Sequence, residues 1–295
     1  MTASVVVPTR NKADRLRLTL RGLGRGASRP HEVIVVDDGC TDTTGEVLAE
    51  AAATGLPIRV VTGPQRGRAA ARNAGAAAAT GRLLVFLDDD ILVGPQFVAA
   101  HEKAHEDGYG SRIGAGASGQ PAVVHGPLRE LPMAARLVAA APPDPYRSAT
   151  DRTFGRTVVN ALERLILAMA ERSAPPVAPW LVCVGANVSL PASRWHADGG
   201  FDENFGTTWG CEDLEYGYRL CAAGAAMVVA PDADGVHLTH VRADRWEQHT
   251  VNLRRFVALH PDPAVAALTS LLAPDGSPAR YLQAAQTTPP DPESV

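Results

Sequence analysis

The chain has 295 residues, 45% of them hydrophobic and 20% charged. That is the balance of a globular protein long enough to bury a core without staples. With 27 Gly and 23 Pro, collagen-like, coiled-coil and wholly disordered chains are excluded. Lys and Arg number 28 against 32 Asp and Glu, a net charge of −4. There is no basic excess of the kind a general nucleic-acid binder needs.

Ser4 to Pro8 (SVVVP) reads as a buried parallel strand, and Ala13 to Leu23 as a helix with Leu16, Leu20 and Leu23 on one face. Glu32 to Val36 is a second strand. The turn Asp37-Asp38-Gly39-Cys40 follows, and Thr41 or Asp42 can cap a helix running to about Ala53. Ile58 to Val61 is a third strand, Arg68 to Ala79 an Ala-rich helix, and Arg82 to Leu87 a fourth strand that runs into Asp88-Asp89-Asp90. Strands alternating with helices imply a parallel sheet covered on both faces, a Rossmann-like α/β fold. Ligands bind such sheets at the carboxyl ends of the strands, where Pro8, Thr9, Arg10, Asp37, Asp38 and the three acids fall.

The middle carries no assignable motif. Met133 to Ala141 and Thr157 to Ala170 have helical spacing, punctuated by proline pairs. Arg129, Arg136, Arg147, Arg152 and Arg156 read first as a solvated face, with an anionic ligand or peripheral membrane contact as the other reading. From about Pro274 the chain is polar and Pro-rich, ending TTPPDPESV, and reads as a flexible tail. The expected division is 1–107, 108–180 as a variable helical and loop insertion, 181–273, and 274–295. The cysteines Cys40, Cys183, Cys211 and Cys221 make no CxxC pair, so reduced buried thiols are expected. Neither a signal-peptide pattern nor an 18-residue apolar run occurs, and a soluble cytoplasmic protein is expected.

Three constellations carry chemistry. Asp88 and Asp90, two apart at a strand end, share one side of an extended chain. Paired carboxylates suit Mg²⁺ or Mn²⁺ bound together with substrate phosphates. Glu212 and Asp213 open a helix that runs to about Ala223. They read equally as N-terminal caps or as a general base. His237 and His240 have metal-ligand spacing after the strand-like run AMVVAPDADGV. A lone HxxH is more often structural, but an adjacent carboxylate cation site raises its weight.

The segments VVVPTRNKADRLRLTL, VIVVDDGCTDTT, GRAAARNAGAAAATG and LLVFLDDDILVGP together resemble the nucleotide-sugar half of inverting glycosyltransferase family 2, GT-A fold. GANVSLPASRWHADGGFDENFGTTWGCEDLEYGYRL with HLTH resembles the acceptor half shared with β-1,4-galactosyltransferase-like proteins. The resemblance covers about residues 3 to 100 and 183 to 241. It implies a central sheet with an acceptor-side subdomain, and a metal-dependent inverting transfer of sugar from a nucleotide-sugar donor. UDP-sugars are favoured, because Asp38, with Asp37 beside it, takes the place of the family's uracil contact. Pro8, Arg10, Arg72 and Asp89 are implied at the nucleotide or its diphosphate. Asp88 and Asp90 with His237 and His240 are implied as ligands of Mn²⁺ or Mg²⁺, Asp213 as the base with Glu212 in reserve, and Trp209 as the acceptor platform. A glycan, a lipid-linked or a small-molecule acceptor all fit. Cys40 and Cys211 depart from the family, standing where Ser and Gly are usual. The competing readings are an inactive nucleotide-sugar-binding partner and a nucleotidyltransferase; the latter lacks its basic Gly-rich loop.

Overall fold

In a computed structural model, the structure describes residues 1–114, 122–240 and 243–286. The final TTPPDPESV and part of the Gly-rich stretch 110–119 lie outside the described residues. The rest of the expected flexible tail is ordered: Pro278–Ala284 is a helix whose Tyr281 is buried in the core. The strands are β1 Ala3–Thr9, β2 Glu32–Asp37, β3 Ile58–Thr62, β4 Leu83–Leu87, β5 Ile91–Val93, β6 Ser111–Ile113, β7 Ala122–His125, β8 Leu128–Leu131, β9 Asn187–Pro191, β10 Ala226–Val229 and β11 Gly235–Leu238. The helices that matter here are α1 Ala13–Arg25, α2 Thr44–Ala53, α3 Arg68–Ala78, α4 Phe97–Glu106, α5 Ala134–Ala140, α6 Pro145–Thr150, α7 Ala161–Ala170, α8 Ala192–Asp198, α9 Glu212–Ala222 and α10 Arg245–Leu259.

The central sheet has the order β3-β2-β1-β4-β9-β7-β10-β6. β1 to β4 pair in parallel, whereas β9 runs antiparallel between β4 and β7. β1, β2 and β4 are buried on both faces, which explains why they read as unbroken apolar runs, whereas β3 at the sheet edge is largely exposed. Val6, Ile34, Val36, Leu84 and Phe86 pack on one side with Ala69 and Ala76 of α3 and Leu214 and Leu220 of α9. Val5, Val7, Val33, Val35 and Val85 pack on the other with Leu16 and Leu20 of α1 and Val47 of α2. Gly75 lets α3 settle on the sheet, because a Cβ there would collide with Val6 and Val36. A smaller sheet, β5-β11-β8, stands beside the first. Among the described residues no helix is long and apolar enough to cross a membrane.

Segment 108–180 is more than the expected helical and loop insertion. It supplies β6 and β7 to the central sheet and β8 to the second. The helix expected over 157–170 begins only at Ala161. The β-branched run Thr157-Val158-Val159 stays extended, Val158 bridges to Glu130, and the Asn160 side chain caps the helix at Glu163 N–H. The run AMVVAPDADGV is two strands, because Pro231 offers no N–H and the chain turns at Ala230–Ala233.

Candidate active site

At the ends of β1 and β2 the chain turns sharply. Asp37 Oδ1 accepts the N–H groups of Gly39 and Cys40 at 3.1 and 2.8 Å, so this carboxylate shapes the turn. Asp38 is buried, and its Oδ1 accepts Gln65 N–H at 2.7 Å. Pro8 is half-buried and Arg10 exposed beside it. These four residues lie at adjoining strand ends. The N-cap of α2 is Thr43, without a side-chain cap bond, and not Thr41 or Asp42; Asp42 instead accepts Thr44 N–H and Ala13 N–H, joining the starts of α2 and α1.

The three acids after β4 separate in a turn, so the alternation expected of an extended strand does not hold. Asp88 accepts from Arg72 Nη2 at 2.9 Å. Asp89 faces inward, and the expectation that it meets the nucleotide is corrected. Its two oxygens are taken by Thr9 Oγ1 at 2.8 Å and Lys12 Nζ at 2.9 Å, and it is 4% exposed. Burial, with Asp90 adding and Lys12 opposing, raises its carboxyl to about 6. Asp90 accepts from Lys12 Nζ at 2.8 Å. Burial works against its charge, but His237 and Lys12 hold it well below the usual carboxylate range.

Asp88 and Asp90 line a cavity of about 180 Å³, together with Lys12, Arg72, Trp209, Glu212, Asp213, His237 and His240. The structure thus brings the acid trio, the Glu-Asp pair and the histidines to one place. At α9 the two acids part in function. Glu212 Oε1 accepts from Arg72 Nη1 at 2.8 Å. Arg72 is 2% exposed and spans Asp88 and Glu212. Its terminal nitrogens are therefore occupied by carboxylates instead of the diphosphate expected from the sequence. Gly185 makes this possible, since a Cβ there would lie 2.6 Å from the guanidinium carbon. Among the described residues Asp213 accepts backbone N–H groups, from Gly185 at 2.8 Å and Leu214 at 2.9 Å. Burial, joined by the Glu212 charge and opposed by Arg72, raises Asp213 to about 6. A carboxylate so poised is still ionised near neutrality and is a better proton acceptor than a solvated Asp.

Asp90, His237 and His240 each offer a ligand atom within 4.8 Å of the others. His237 Nε2 lies 3.5 Å from Asp90 Oδ1, and His240 Nδ1 3.4 Å from Asp90 Oδ2. That His240 nitrogen is buried without a hydrogen bond, and burial followed by Lys12 lowers the ring to about 4. A neutral imidazole with a free buried nitrogen beside a carboxylate fits a divalent cation. Two imidazoles in the set favour Mn²⁺ or another transition ion over Mg²⁺. Burial opposes charge on His237, but Asp90 and Glu130 outweigh it and raise the ring to about 10.

Trp209 reaches the cavity from the loop before α9. That loop is tied to α10 by Gln248 Oε1, which accepts Trp209 N–H at 2.9 Å, and by Asn252, which donates to Thr208 O and Gly210 O. The Arg245 guanidinium stacks 4.8 Å from both the Trp209 and Trp246 rings. Cys211, at φ 69°, sits in the backbone region that favours glycine, with Sγ 3.5 Å from His249 Nε2. Sequence reasoning missed Lys12, Glu130, Arg245 and His249. Lys12 lay inside a quoted motif; the other three carry no local signal.

A large, mostly parallel central sheet flanked by helices is the arrangement of the GT-A glycosyltransferases, and solved structures share that fold. A mannosyltransferase, PcManGT from Pyrobaculum calidifontis, in complex with GDP-Man and Mn²⁺, aligns at TM-score 0.56 and 20% identity, covering 96% of this chain and 68% of that one. GalNAc-T7 with UDP, GalNAc and Mn²⁺ aligns at TM-score 0.58 and 15% identity, covering 96% and 54%. At these identities the likeness is one of fold. The sequence profile of Glycosyl transferase family 2 matches residues 4–162, and the chain belongs to that family. Among its relatives, a validoxylamine A glucosyltransferase from Streptomyces hygroscopicus subsp. limoneus is 36% identical over 265 residues, covering 88% of this chain and 56% of that protein. The uncharacterized glycosyltransferase YfnE of Bacillus subtilis (strain 168) is 28% identical over 260 residues, covering 81% and 65%. The chain spans 56% and 61% of the length of two validoxylamine A glucosyltransferases.

Proposed function

We propose that this chain is a metal-dependent, inverting glycosyltransferase that moves a sugar from a nucleotide-sugar, a UDP-sugar by preference, to an acceptor hydroxyl. The observation that carries it is the shared cavity: the Asp90–His237–His240 cluster and the Asp213 carboxylate line the same space. The family supports sugar transfer, and the validoxylamine A glucosyltransferases support glucose as the transferred unit.

Asp90, His237 and His240 would hold the cation, which when bound offsets charge on the departing diphosphate. Asp213 takes the proton of the acceptor hydroxyl as that oxygen attacks the anomeric carbon. The bond from that carbon to the diphosphate oxygen breaks on the opposite face, so the configuration inverts. Glu212 is a poor base because Arg72 holds its carboxylate. Trp209 offers its ring to the acceptor, and Asp38, just after β2, is the proposed contact of the nucleotide base.

A thermal-shift panel of UDP-, GDP-, dTDP- and CDP-sugars, each with Mn²⁺ and with EDTA, tests the reading. A shift for a uridine donor that EDTA removes is expected. No shift with any nucleotide-sugar would overturn it. Replacing both His237 and His240 with Ala should raise the Mn²⁺ concentration needed for half activity.

A further inference from the structure

Glu130 comes from the segment in which the sequence shows no motif, yet it stands directly across from His237. β8 and β11 pair in parallel with His237 opposite Glu130. His237 Nδ1 is 2.6 Å from Glu130 Oε2, and Thr239 Oγ1 donates to the same oxygen at 2.8 Å. Asn160 Nδ2 donates to Oε1 at 3.0 Å. The Glu130 backbone is fixed as well, exchanging N–H···O bonds with Val158 at 2.7 and 2.9 Å. Asn160 is in turn anchored as the cap of α7. A simple cross-strand ion pair would leave one carboxylate oxygen to water. Here both oxygens are bonded, and the donors come from two chain segments.

The consequence for His237 is directional. With Nδ1 held by Glu130, the ring presents Nε2 toward Asp90, 3.5 Å from Oδ1. We propose that Glu130 is a positioning residue of the cation site, fixing the ring orientation and tautomer of His237 so that Nε2 is the ligand atom. This rests on the reading that Asp90, His237 and His240 take a divalent cation. A carboxylate behind a metal-binding imidazole typically affects affinity by about 10- to 100-fold.

The test separates reach from charge. Mn²⁺ affinity of the purified chain is measured by the electron paramagnetic resonance signal of free Mn²⁺. Melting temperature is followed in parallel. Glu130→Asp keeps the charge but withdraws the carboxylate by one methylene, and is expected to weaken Mn²⁺ binding by about 10- to 100-fold. Glu130→Gln loses the charge but keeps an acceptor within reach of Nδ1, and is expected to stay closer to the wild type. Should Glu130→Asp not fold, Glu130→Gln against Glu130→Ala compares an acceptor kept with one removed, and equal Mn²⁺ affinity in the two would overturn the positioning role. Affinity unchanged in Glu130→Asp, or lower in Glu130→Gln than in Glu130→Asp, would overturn the positioning role. In either case a loss of Mn²⁺ binding in Asp90→Ala leaves the cation site standing. If the wild type itself binds no Mn²⁺, and Asp90→Ala changes nothing, the cation reading fails and the role of Glu130 falls with it.

Discussion

The cavity has two walls built in different ways. One wall comes from the ends of β1 and β4 and the start of α3. Lys12, Asp88, Asp90 and Arg72 sit there on elements held by strands buried on both faces. The other wall comes from β8 and β11 of the three-stranded sheet, with Leu128, Glu130 and His237, and from the start of α7, with Asn160 and Leu162. On the first wall Lys12 precedes α1, Asp88 and Asp90 lie in the turn between β4 and β5, and Arg72 sits within α3, all close to their strands in sequence. On the second, Leu128, Glu130 and His237 are placed by the pairing of β8 with β11, strands far apart in the chain. A site of this kind joins chemistry fixed by local geometry to orientation fixed by register.

The comparison breaks most visibly at Asp90, which faces both walls. Asp90→Ala should abolish transfer with the melting temperature preserved, and stripping the metal with EDTA should do the same until Mn²⁺ is restored. Full activity in excess EDTA would remove the cation from the scheme.

Asp213→Asn comes next. Turnover should fall by about 10²- to 10⁴-fold, the usual weight of general acid–base catalysis, while donor affinity measured by calorimetry changes little. The base must be ionised, so the wild-type rate should rise with pH through about 6 and level off above it. The Asn variant should lose that limb. The anomeric proton coupling of the product, read by NMR, should show inversion.

Arg72→Met probes the strut on the first wall. It leaves the buried Glu212 without its cation and removes the partner of the half-buried Asp88; breaking a buried pair costs about 3–5 kcal/mol. Urea denaturation should show the loss, and a much smaller one would mean that water or relaxation replaces Arg72. The smallest effect is expected at Trp209, which reaches the cavity from the loop before α9. Trp209→Ala should raise acceptor KM by about 5- to 30-fold, corresponding to about 1–2 kcal/mol, with donor KM unchanged.

How much of this was legible in the sequence follows the same division. β1 to β4 and α1 to α3 were readable to within a residue or two, because each is a short, self-contained apolar period with turn residues after it. The candidate residues Asp88, Asp90, Asp213, His237 and His240 also stood out, and they do converge on one cavity. β5 to β8 were not readable. They are three or four residues long, too short for a period to show. Glu130 looked like any surface acid, since its meaning lies in a register with His237, 107 residues away. Asp89 misled for the opposite reason: three identical neighbours give no sign of which one turns inward.

Arg72 also bears on the order in which the molecule assembles. Its bond to Asp88 spans 16 residues and its bond to Glu212 spans 140. As the chain leaves the ribosome, Asp88 is present to neutralise the guanidinium long before Glu212 exists. Contacts of long sequence separation form late because their loop must first be closed. The buried cation is thus half-satisfied in the nascent amino-terminal half, and its second partner arrives only when α9 docks. The acid next to that partner is Asp213, so the proposed base reaches its place at the same moment the core closes over Arg72.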